Sequence, residues 1–351
     1  MRARRITGIV AGLLFAGMAQ ADVFNMGGTR DANGNWTGLA SLETVHVGDA
    51  GNAADMHGAG YGAVSYEYDI GKYEVTAGQY TEFLNAVAKT DAYGLYNTGM
   101  DTAVDTYGCD IKRAGSSGSY TYSVDANGGN RPVNYVSYGD SCRFANWLHN
   151  GQPAGEQDAN TTERGAYTLD GYDGHDGRAI QRNTDAKWAI PSEDEWYKAA
   201  YYKGGSTNAG YWDYPTSSDT APGRDMADVS GNNSNYYNNG NGYLIGSPYY
   251  RATAGEFQNS DSPCGTFDQG GNVWEWNEAI PYQDSTCVYR GMRGSAFNNY
   301  NYYLLASFRN YSYPYYEYGS LGFRVVEVPE PATTAFLALG GIGLLRRRWG
   351  L

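Results

Sequence analysis

The stretch RGSAFNNYNYYLLASFRNYSYPYYEYGSLGFR, residues 293–324, is the most informative part of this chain. It opens on Arg-Gly-Ser, closes on Leu-Gly-Phe-Arg, and is dense in Tyr and Asn between them, with no Cys. Tyr supplies rigid aromatic area and Asn supplies adaptable hydrogen bonds, a composition typical of recognition surfaces. Disordered segments are poor in aromatic residues, so the stretch is predicted to be folded. Leu304, Leu305 and Phe308 are expected to pack beneath this surface.

Three helices are predicted by their N-terminal caps. Each begins with Ser or Thr followed three residues later by Gln, Asp or Glu, the pattern of a capping box. The pairs are Thr76 and Gln79, Ser137 and Asp140, and Ser192 and Glu195. Apolar and aromatic residues follow at helical spacing, and Gly151 and Gly204 end the second and third helices.

The remainder is Gly, Asn, Ser, Asp and Tyr in short runs, which predicts loops and short strands held by side-chain hydrogen bonds and aromatic packing. Residues 22–42 have no pattern and are expected to lead into the domain. There is no internal repeat. Short strands are predicted at residues 63–73, 272–276, 288–292 and 321–326.

Both ends of the chain look like sorting signals. Residues 1–21 contain three Arg, an apolar run and Ala-Gln-Ala, the layout of a secretory signal that signal peptidase removes before Asp22. Residues 329–331 read Pro-Glu-Pro and precede an apolar run at 332–345 and three Arg. This run would span about 21 Å as a helix, short of a bilayer core of about 30 Å.

The C-terminal arrangement closely resembles the PEP-CTERM sorting tail of Gram-negative bacteria. The resemblance implies processing by an exosortase, transient membrane anchoring by the tail, and delivery through the periplasm to the cell surface or beyond, often in species that make exopolysaccharide. A plain C-terminal membrane anchor is the alternative interpretation.

The chain is acidic, with a formal charge of −13 that becomes −19 once the six Arg of the two terminal signals are removed. Such a body repels nucleic acid and anionic membranes and favours divalent cations. Nucleic-acid binding is therefore not expected. Four cysteines, Cys109, Cys142, Cys264 and Cys287, allow up to two disulfides in an oxidising compartment, among three possible connectivities.

Six ordered motifs resemble the formylglycine-generating enzyme, or sulfatase-modifying factor, domain over about residues 45–326. They are IGKYEVT (70–76), RPV with VS (131–137), IPSEDEW (190–196), GNVWEW (271–276), RGS (293–295) and LGFR (321–324). The resemblance implies an α+β, C-type-lectin-like fold that is loop-rich, with little regular secondary structure. The predicted organisation is a signal peptide (1–21), a lead-in (22–44), this domain (45–326) and the sorting tail (327–351).

Enzymes of that family bind copper through two Cys, three residues after the Ser of an Arg-Gly-Gly-Ser motif and five residues further on. Because this chain has one Gly after Arg293, the count falls on Asn298 and Tyr303, or on Asn299 and Leu304. Neither an amide nor a phenol replaces a thiolate as a ligand for soft Cu(I). The sequence therefore predicts that copper binding and oxidase activity are lost. The alternative is an oxidase that uses a displaced thiol, Cys264 or Cys287, or another enzyme acting on a secreted protein.

The resemblance also implies a structural calcium site formed by the side chains of Asp268 and Glu275 and the carbonyls of Gly271 and Val273. Oxygen ligands and a tight turn with two Gly suit calcium. A second calcium site of the family corresponds to Asn235 and the carbonyl of Tyr236. The alternative is that Asp268 and Glu275 are solvated surface acids.

The leading functional prediction is a binding or surface-display module whose ligand is an exopolysaccharide, another glycan or a surface protein. The family's substrate pocket corresponds to Trp274 and Ser295. The alternative, that Trp274 is a core residue, is favoured because large aromatic side chains dominate packing. The candidate ligand-binding residues are Trp274, Ser295, Asn298, Asn299, Tyr300, Tyr302, Tyr303, Tyr311 and Tyr313.

Other chemistry finds no support in the sequence. There is no HExxH, GxSxG or GxxxxGK motif, and the four His form no close pair. The acids of residues 170–177 are spaced by three, whereas an EF-hand loop needs them at alternate positions. No spacing singles out a pair of carboxylates for glycoside hydrolysis.

Overall fold

The computed structural model describes residues 29–30, 36–37, 42–56, 60–125 and 127–329. The predicted signal peptide and the part of the sorting tail beyond residue 329 lie outside these residues. The helices are α1 (Ala77–Val87), α2 (Tyr138–His149) and α3 (Glu193–Tyr201). The strands are β1 (Thr29–Arg30), β2 (Trp36–Thr37), β3 (Thr44–Val47), β4 (Tyr68–Gly71), β5 (Ile111–Ala114), β6 (Thr121–Val124), β7 (Trp188–Ala189), β8 (Tyr202–Gly204), β9 (Gly210–Tyr211), β10 (Trp274–Gln283), β11 (Val288–Arg293), β12 (Asn310–Ser312), β13 (Leu321–Gly322) and β14 (Val326–Glu327).

All three predicted helices are confirmed, and each has both hydrogen bonds of the capping box. Helices α1 and α2 pack through aromatic side chains, with Phe83 and Phe144 rings 5.3 Å apart and edge to face. Phe323, which follows β13, packs edge to face on Phe144 at 5.3 Å. The main core therefore lies between the two helices and the C-terminal strands.

Two four-stranded sheets form the framework, in the orders β12-β11-β10-β13 and β3-β4-β14-β7. Strand β13 runs parallel to β10, whereas β14 lies between β4 and β7 and is antiparallel to both. Three two-stranded sheets, β1-β2, β5-β6 and β8-β9, complete the described strands. The predicted α+β, loop-rich architecture is confirmed.

The strand predicted at residues 321–326 is corrected, because it is two strands in different sheets. Between them, Phe323 and Arg324 leave the ladder and are completely buried. The strand predicted at 63–73 is shorter than expected, since Asn52 holds the segment before β4 in a loop by accepting from the Val64 N–H and donating to the Gly62 carbonyl.

One further strand prediction changes in extent, and the lead-in contains strands that are not predicted. Strand β10 continues seven residues beyond the predicted end at Trp276, with an irregular register between Asn277 and Tyr282. The lead-in, predicted to be without pattern, contains the β1-β2 pair, and the sequence between these strands includes Asn33-Gly34, a turn signal. No helix among the described residues is long and apolar enough to cross a bilayer.

Four arginines that are at most 1 % exposed satisfy carbonyl groups of the loops. Arg290 donates to the carbonyls of Gly177 and Ile180 at 2.6 Å each, and Arg251 donates to those of Tyr107 and Gly108, also at 2.6 Å. The other two are Arg293 and Arg324. Buried carbonyls need donors, and a loop-rich chain cannot supply them all from its own N–H groups.

Candidate functional site

The Arg-Gly-Ser motif lies at the end of β11, where the chain makes a tight turn. Ser295 has a φ of 74° and is completely buried, and its Oγ has no hydrogen-bond partner. Arg293 donates to Glu193 at 2.8 Å and to the carbonyls of Ala306 and Phe308 at 2.9 and 2.8 Å. The motif therefore anchors the segment that follows it.

Trp274, predicted to line a ligand pocket with Ser295, is buried in the structure. Its Nε1–H donates to Oδ1 of Asn299 at 2.9 Å. The ring packs against Tyr303 and Phe308, with centroids 6.2 and 6.1 Å away. Contact with a ligand at this position would require the covering side chains to move.

The positions that correspond to the family's two cysteines have different surroundings. Asn298 is exposed and Tyr303 is partly buried against Phe308, with ring centroids 4.5 Å apart. In the other register, Asn299 bonds Trp274, and Leu304 is completely buried beside Tyr214 and Tyr236.

All four cysteines are unpaired, so neither of the disulfides that the sequence allows is present. Cys109, Cys142 and Cys287 are buried and Cys264 is partly buried. Burial raises the pKa of all four thiols, that of Cys264 to about 11. A thiol with a raised pKa is a poor nucleophile and a poor metal ligand.

Seven tyrosines form a continuous row of contacting rings, here named the tyrosine strip. Tyr311 and Tyr315 are 46 % and 37 % exposed, and Tyr282 and Tyr318 are 50 % and 46 % exposed. The strip consists of Tyr282, Tyr289, Tyr311, Tyr313, Tyr315, Tyr316 and Tyr318. Neighbouring ring centroids in these contacts are between 4.2 and 6.2 Å apart.

Of the candidate ligand-binding tyrosines, Tyr311 and Tyr313 lie in the tyrosine strip. Tyr300, Tyr302 and Tyr303 form a second group of contacting rings, 5.8 and 4.2 Å apart, that joins Trp274 through Tyr303. The structure thus divides the predicted residues between two groups.

The segment predicted to bind calcium is a tight turn, with φ values of 60° at Asp268, 82° at Gly271 and 59° at Asn272. Glu275 is completely buried, but its two oxygens accept from Arg324 at 2.6 and 2.7 Å, and Oε2 also accepts from the Trp196 N–H. Glu275 is therefore not a surface acid, and a cation would have to compete with Arg324 for it.

Other oxygens near this turn are less engaged. Glu74 is buried, and neither of its carboxylate oxygens has a hydrogen-bond partner. Burial and the charges of Asp268 and Glu275 raise its pKa well above the usual range. Burial also raises the pKa of Asp268 to about 6. The side-chain oxygen of Asn235 is likewise buried without a partner.

These oxygens fit a cation in part: Asp268, Glu74 and Asn235 are available, whereas Glu275 is neutralised by Arg324. No three His, Cys, Asp or Glu side chains in the described part of the chain converge as a metal site. The remaining ligands of a cation would have to be the main-chain carbonyls of Gly271 and Val273, which the sequence analysis predicts as ligands.

A cavity of about 370 Å³ lies at the N-terminus of α2, and two carboxyl groups meet in it. Asp140 is buried and its Oδ2 accepts from the N–H and hydroxyl of Ser137 at 2.9 and 2.6 Å. Glu317 lines the same cavity, close enough to Asp140 for the two carboxyl groups to interact. Burial and the charge of Asp140 raise the pKa of Glu317 to about 8, and burial raises that of Asp140. We name this cavity the acidic cavity.

Partial signals for the unpredicted site residues are present in the sequence. Tyr282 and Tyr289 are direct cross-strand partners in the β10-β11 hairpin, so the tyrosine strip could have been extended had β10 been predicted to its end. Glu317 is the one acid in residues 298–320. Its pairing with Asp140, which is 177 residues away in sequence, has no local signal.

The family comparison gives two matches along the chain. A model of the sulfatase-modifying factor enzyme 1-like domain matches residues 46–328. A model of the PEP-CTERM protein-sorting motif matches residues 327–348. No curated protein sequence matches the chain.

Solved structures of similar fold include the crystal structure of CarF, with 19 % sequence identity and a TM-score of 0.52, covering 82 % of this chain and 99 % of that chain. Variable protein 1 of Treponema denticola matches with 16 % identity and a TM-score of 0.48, over 83 % of this chain and 96 % of its own. PvdO from Pseudomonas aeruginosa matches with 16 % identity and a TM-score of 0.46, over 88 % and 98 %. At these identities the likeness to CarF concerns the fold alone.

Proposed function

We propose a function from the premise that this chain belongs to the sulfatase-modifying factor enzyme 1-like family. Its PEP-CTERM motif marks an exported protein of a Gram-negative bacterium that is processed by an exosortase. On this scaffold the chain acts as a binding module displayed at the cell surface, and the tyrosine strip is its ligand-binding face. The preferred ligand is a glycan such as an exopolysaccharide.

The observation that carries this proposal is the exposure of the tyrosine strip. Aromatic faces carry partial negative charge and stack on the C–H groups of sugar rings, while phenol hydroxyls bond sugar hydroxyls. Exposed aromatic patches with polar groups at their edges are typical of interaction sites. The rings also hold each other in place, which reduces the entropy lost on binding.

Calorimetric titration of the mature protein with neutral oligosaccharides tests this function. We expect Tyr311→Ala to weaken binding about twofold to twelvefold, since an aromatic contact contributes about 0.5–1.5 kcal/mol. Tyr120→Ala, outside the tyrosine strip, is the matched control. Equal affinities of the two variants, or no binding across a broad glycan array, would contradict the proposal. Binding of a surface protein and of no glycan would show that the ligand is a protein.

The proposal also holds that formylglycine-generating activity is lost. Asn298 and Tyr303, or Asn299 and Leu304, occupy the two cysteine positions. Burial raises the pKa of all four thiols of the chain, which disfavours the thiolate form that Cu(I) needs as a ligand. Incubation with Cu(I) and a Cys-containing sulfatase peptide, followed by mass spectrometry, should yield no formylglycine. Clear turnover would establish the enzyme instead.

Calcium is proposed as a structural ion of the turn at residues 268–275. Glu74, Asp268 and Glu275 bring up to three negative charges together against the single positive charge of Arg324, so a divalent cation would neutralise the remainder. Calcium should raise the melting temperature in a concentration-dependent way, and EDTA should reverse the rise. Asp268→Asn should remove the effect, with Asp101→Asn as the control. A melting temperature indifferent to both reagents would remove calcium from the proposal.

A further inference from the structure

The acidic cavity lies beside one end of the tyrosine strip and shares a residue with it. Tyr315 belongs to the tyrosine strip and also lines the cavity, together with Tyr93 and Tyr172. The volume of about 370 Å³ falls within the roughly 300–1,000 Å³ of small-molecule sites. The cavity is therefore wide enough for a sugar ring and continuous with the face on which a glycan would lie.

The charge of the cavity is negative. Its acids are Asp140, Glu317 and Asp173, the last of which is exposed. The one lining cation, Arg143, is already bound by Glu163, which accepts from its Nε at 2.7 Å, and by the carbonyl of Tyr172 at 3.0 Å. Arg143 therefore leaves the acids largely uncompensated, and an anionic ligand is excluded.

The carboxyl pair has the chemistry of a receptor for an ammonium group. Two acids in contact hold one proton between them because both cannot ionise at close range. An ammonium group that enters can replace this proton, which leaves to solvent, and donate charge-assisted hydrogen bonds to both carboxylates. Tyr172 and Tyr315 also line the cavity and can add cation–π attraction, whereas the ring of Tyr93 is already covered by the Arg143 guanidinium, 4.3 Å from its centroid.

We propose that the acidic cavity binds the protonated amino group of an amino sugar, with Asp140 and Glu317 as its ligands and the sugar continuing along the tyrosine strip. The amino sugar rests on the glycan-binding function proposed above, whereas the ammonium site rests on the cavity alone. An ammonium group on a lysine side chain has the same chemistry but lacks the ring that stacks on tyrosine.

Calorimetric titration with the glucosamine trisaccharide, its fully N-acetylated counterpart and a lysine-containing peptide tests this site. The glucosamine trisaccharide should bind at least tenfold more tightly than the acetylated one. Glu317→Gln should abolish that preference, whereas Glu67→Gln, a change of the same kind at an exposed acid, should keep it. Because Glu317 also accepts from Asn97, Ala92→Trp provides a second test, since it fills the cavity from an exposed position without removing a carboxyl group.

A second readout is the proton released on binding. Titration near pH 7 in two buffers of different ionisation enthalpy should show release of about one proton per ammonium bound, and Glu317→Gln should reduce it. The charged groups that face the pair are Asp91 from the loop after α1, Arg143 on α2 and Asp173 from the loop beyond it.

The outcomes separate this inference from the proposed function. Equal affinity for the two trisaccharides, or a preference that survives both Glu317→Gln and Ala92→Trp, overturns the acidic cavity as an ammonium site. The proposal that the tyrosine strip binds a glycan is still supported if Tyr311→Ala weakens the binding of the acetylated trisaccharide. Binding of the peptide alone, with neither trisaccharide bound, overturns the amino sugar and the glycan face together.

Discussion

Arg324, the arginine of the Leu-Gly-Phe-Arg motif, joins its own segment to three other places in the chain. It is completely buried, pairs with both oxygens of Glu275, and donates to the carbonyls of Gly71 and Phe267 at 2.8 and 3.0 Å. Arg293 does similar work at the other end of the stretch 293–324. Arg293 and Arg324, which belong to motifs that indicate the family in the sequence, thus have structural roles. These roles do not depend on the two cysteines, so the fold can form without them.

Replacing Arg324 should destabilise the protein strongly. Arg324→Ala leaves the buried Glu275 carboxylate without its partner, so we expect a loss of about 3–5 kcal/mol in the free energy of unfolding. Arg164→Ala breaks an ion pair with Asp170 in which the side chains are 62 % and 47 % exposed, and should cost less than about 1 kcal/mol. Urea denaturation measures both. Similar losses in the two variants would show that Glu275 is solvated.

Glu317 should make stability depend on pH. Its pKa of about 8 in the folded protein lies above the usual 4.5, so the folded state keeps a proton that the unfolded chain releases. This contribution is complete below about pH 4.5 and is lost as pH rises to about 8, a decrease of the order of 4 kcal/mol. Glu317→Gln cannot lose the proton. Its unfolding free energy should decline less over this range than that of the wild type, and parallel curves would refute the raised pKa.

At the scale of elements, the helices were predictable and the strands only in part. A capping box and a helical period are local, and all three boxes are present in the structure. Most of the strands have four residues or fewer, and their partners are distant in sequence, as Val326 pairs with Ile70 and Ala189. A strand of two residues is too short to show an alternation of apolar and polar side chains. The sequence therefore does not reveal that residues 321–326 form two strands.

The cap of α3 gives a prediction at this scale. Ser192→Ala removes the acceptor for the Glu195 N–H, at 3.1 Å, and should lower the unfolding free energy by about 0.5–2 kcal/mol. Ser307→Ala, at an exposed serine outside the helices, should change it by less than about 0.5 kcal/mol. Thermal or urea unfolding followed by circular dichroism compares them. An unchanged Ser192→Ala variant would mean that the other half of the capping box, the bond from the N–H of residue 192 to the Glu195 carboxylate at 2.6 Å, is enough to hold the helix end.

For the whole molecule, the order of the six motifs is sufficient to predict the fold class. Each motif lies where a helix or strand begins or ends, so together they indicate the order of the elements. The candidate site was predicted less completely. Tyr311 and Tyr313 were identified by composition, but the tyrosine strip also needs Tyr282 and Tyr289 from another hairpin. The acidic cavity brings Asp140 to Glu317 through tertiary packing alone, which composition and spacing do not encode.

The arrangement of the cysteines predicts how the folded protein reacts with thiol reagents. All four are unpaired and their pKa values are raised by burial, so a disulfide reagent at pH 8 should label the native protein slowly. Cys264, which is partly buried, should react first. Denaturation should release four reactive thiols in protein prepared under non-reducing conditions. Fewer than four would reveal a disulfide that the structure lacks.

The position of β14 determines where a mechanical load would enter the domain. The sorting motif begins at residue 327, within β14, and β14 is bonded on one side to β4 and on the other to β7. The Val328 N–H extends the contact by donating to the Lys187 carbonyl at 2.9 Å. A pull on the tail is therefore shared between two neighbours in the middle of a sheet, so the chain can be tethered at its end without one edge strand bearing the whole force.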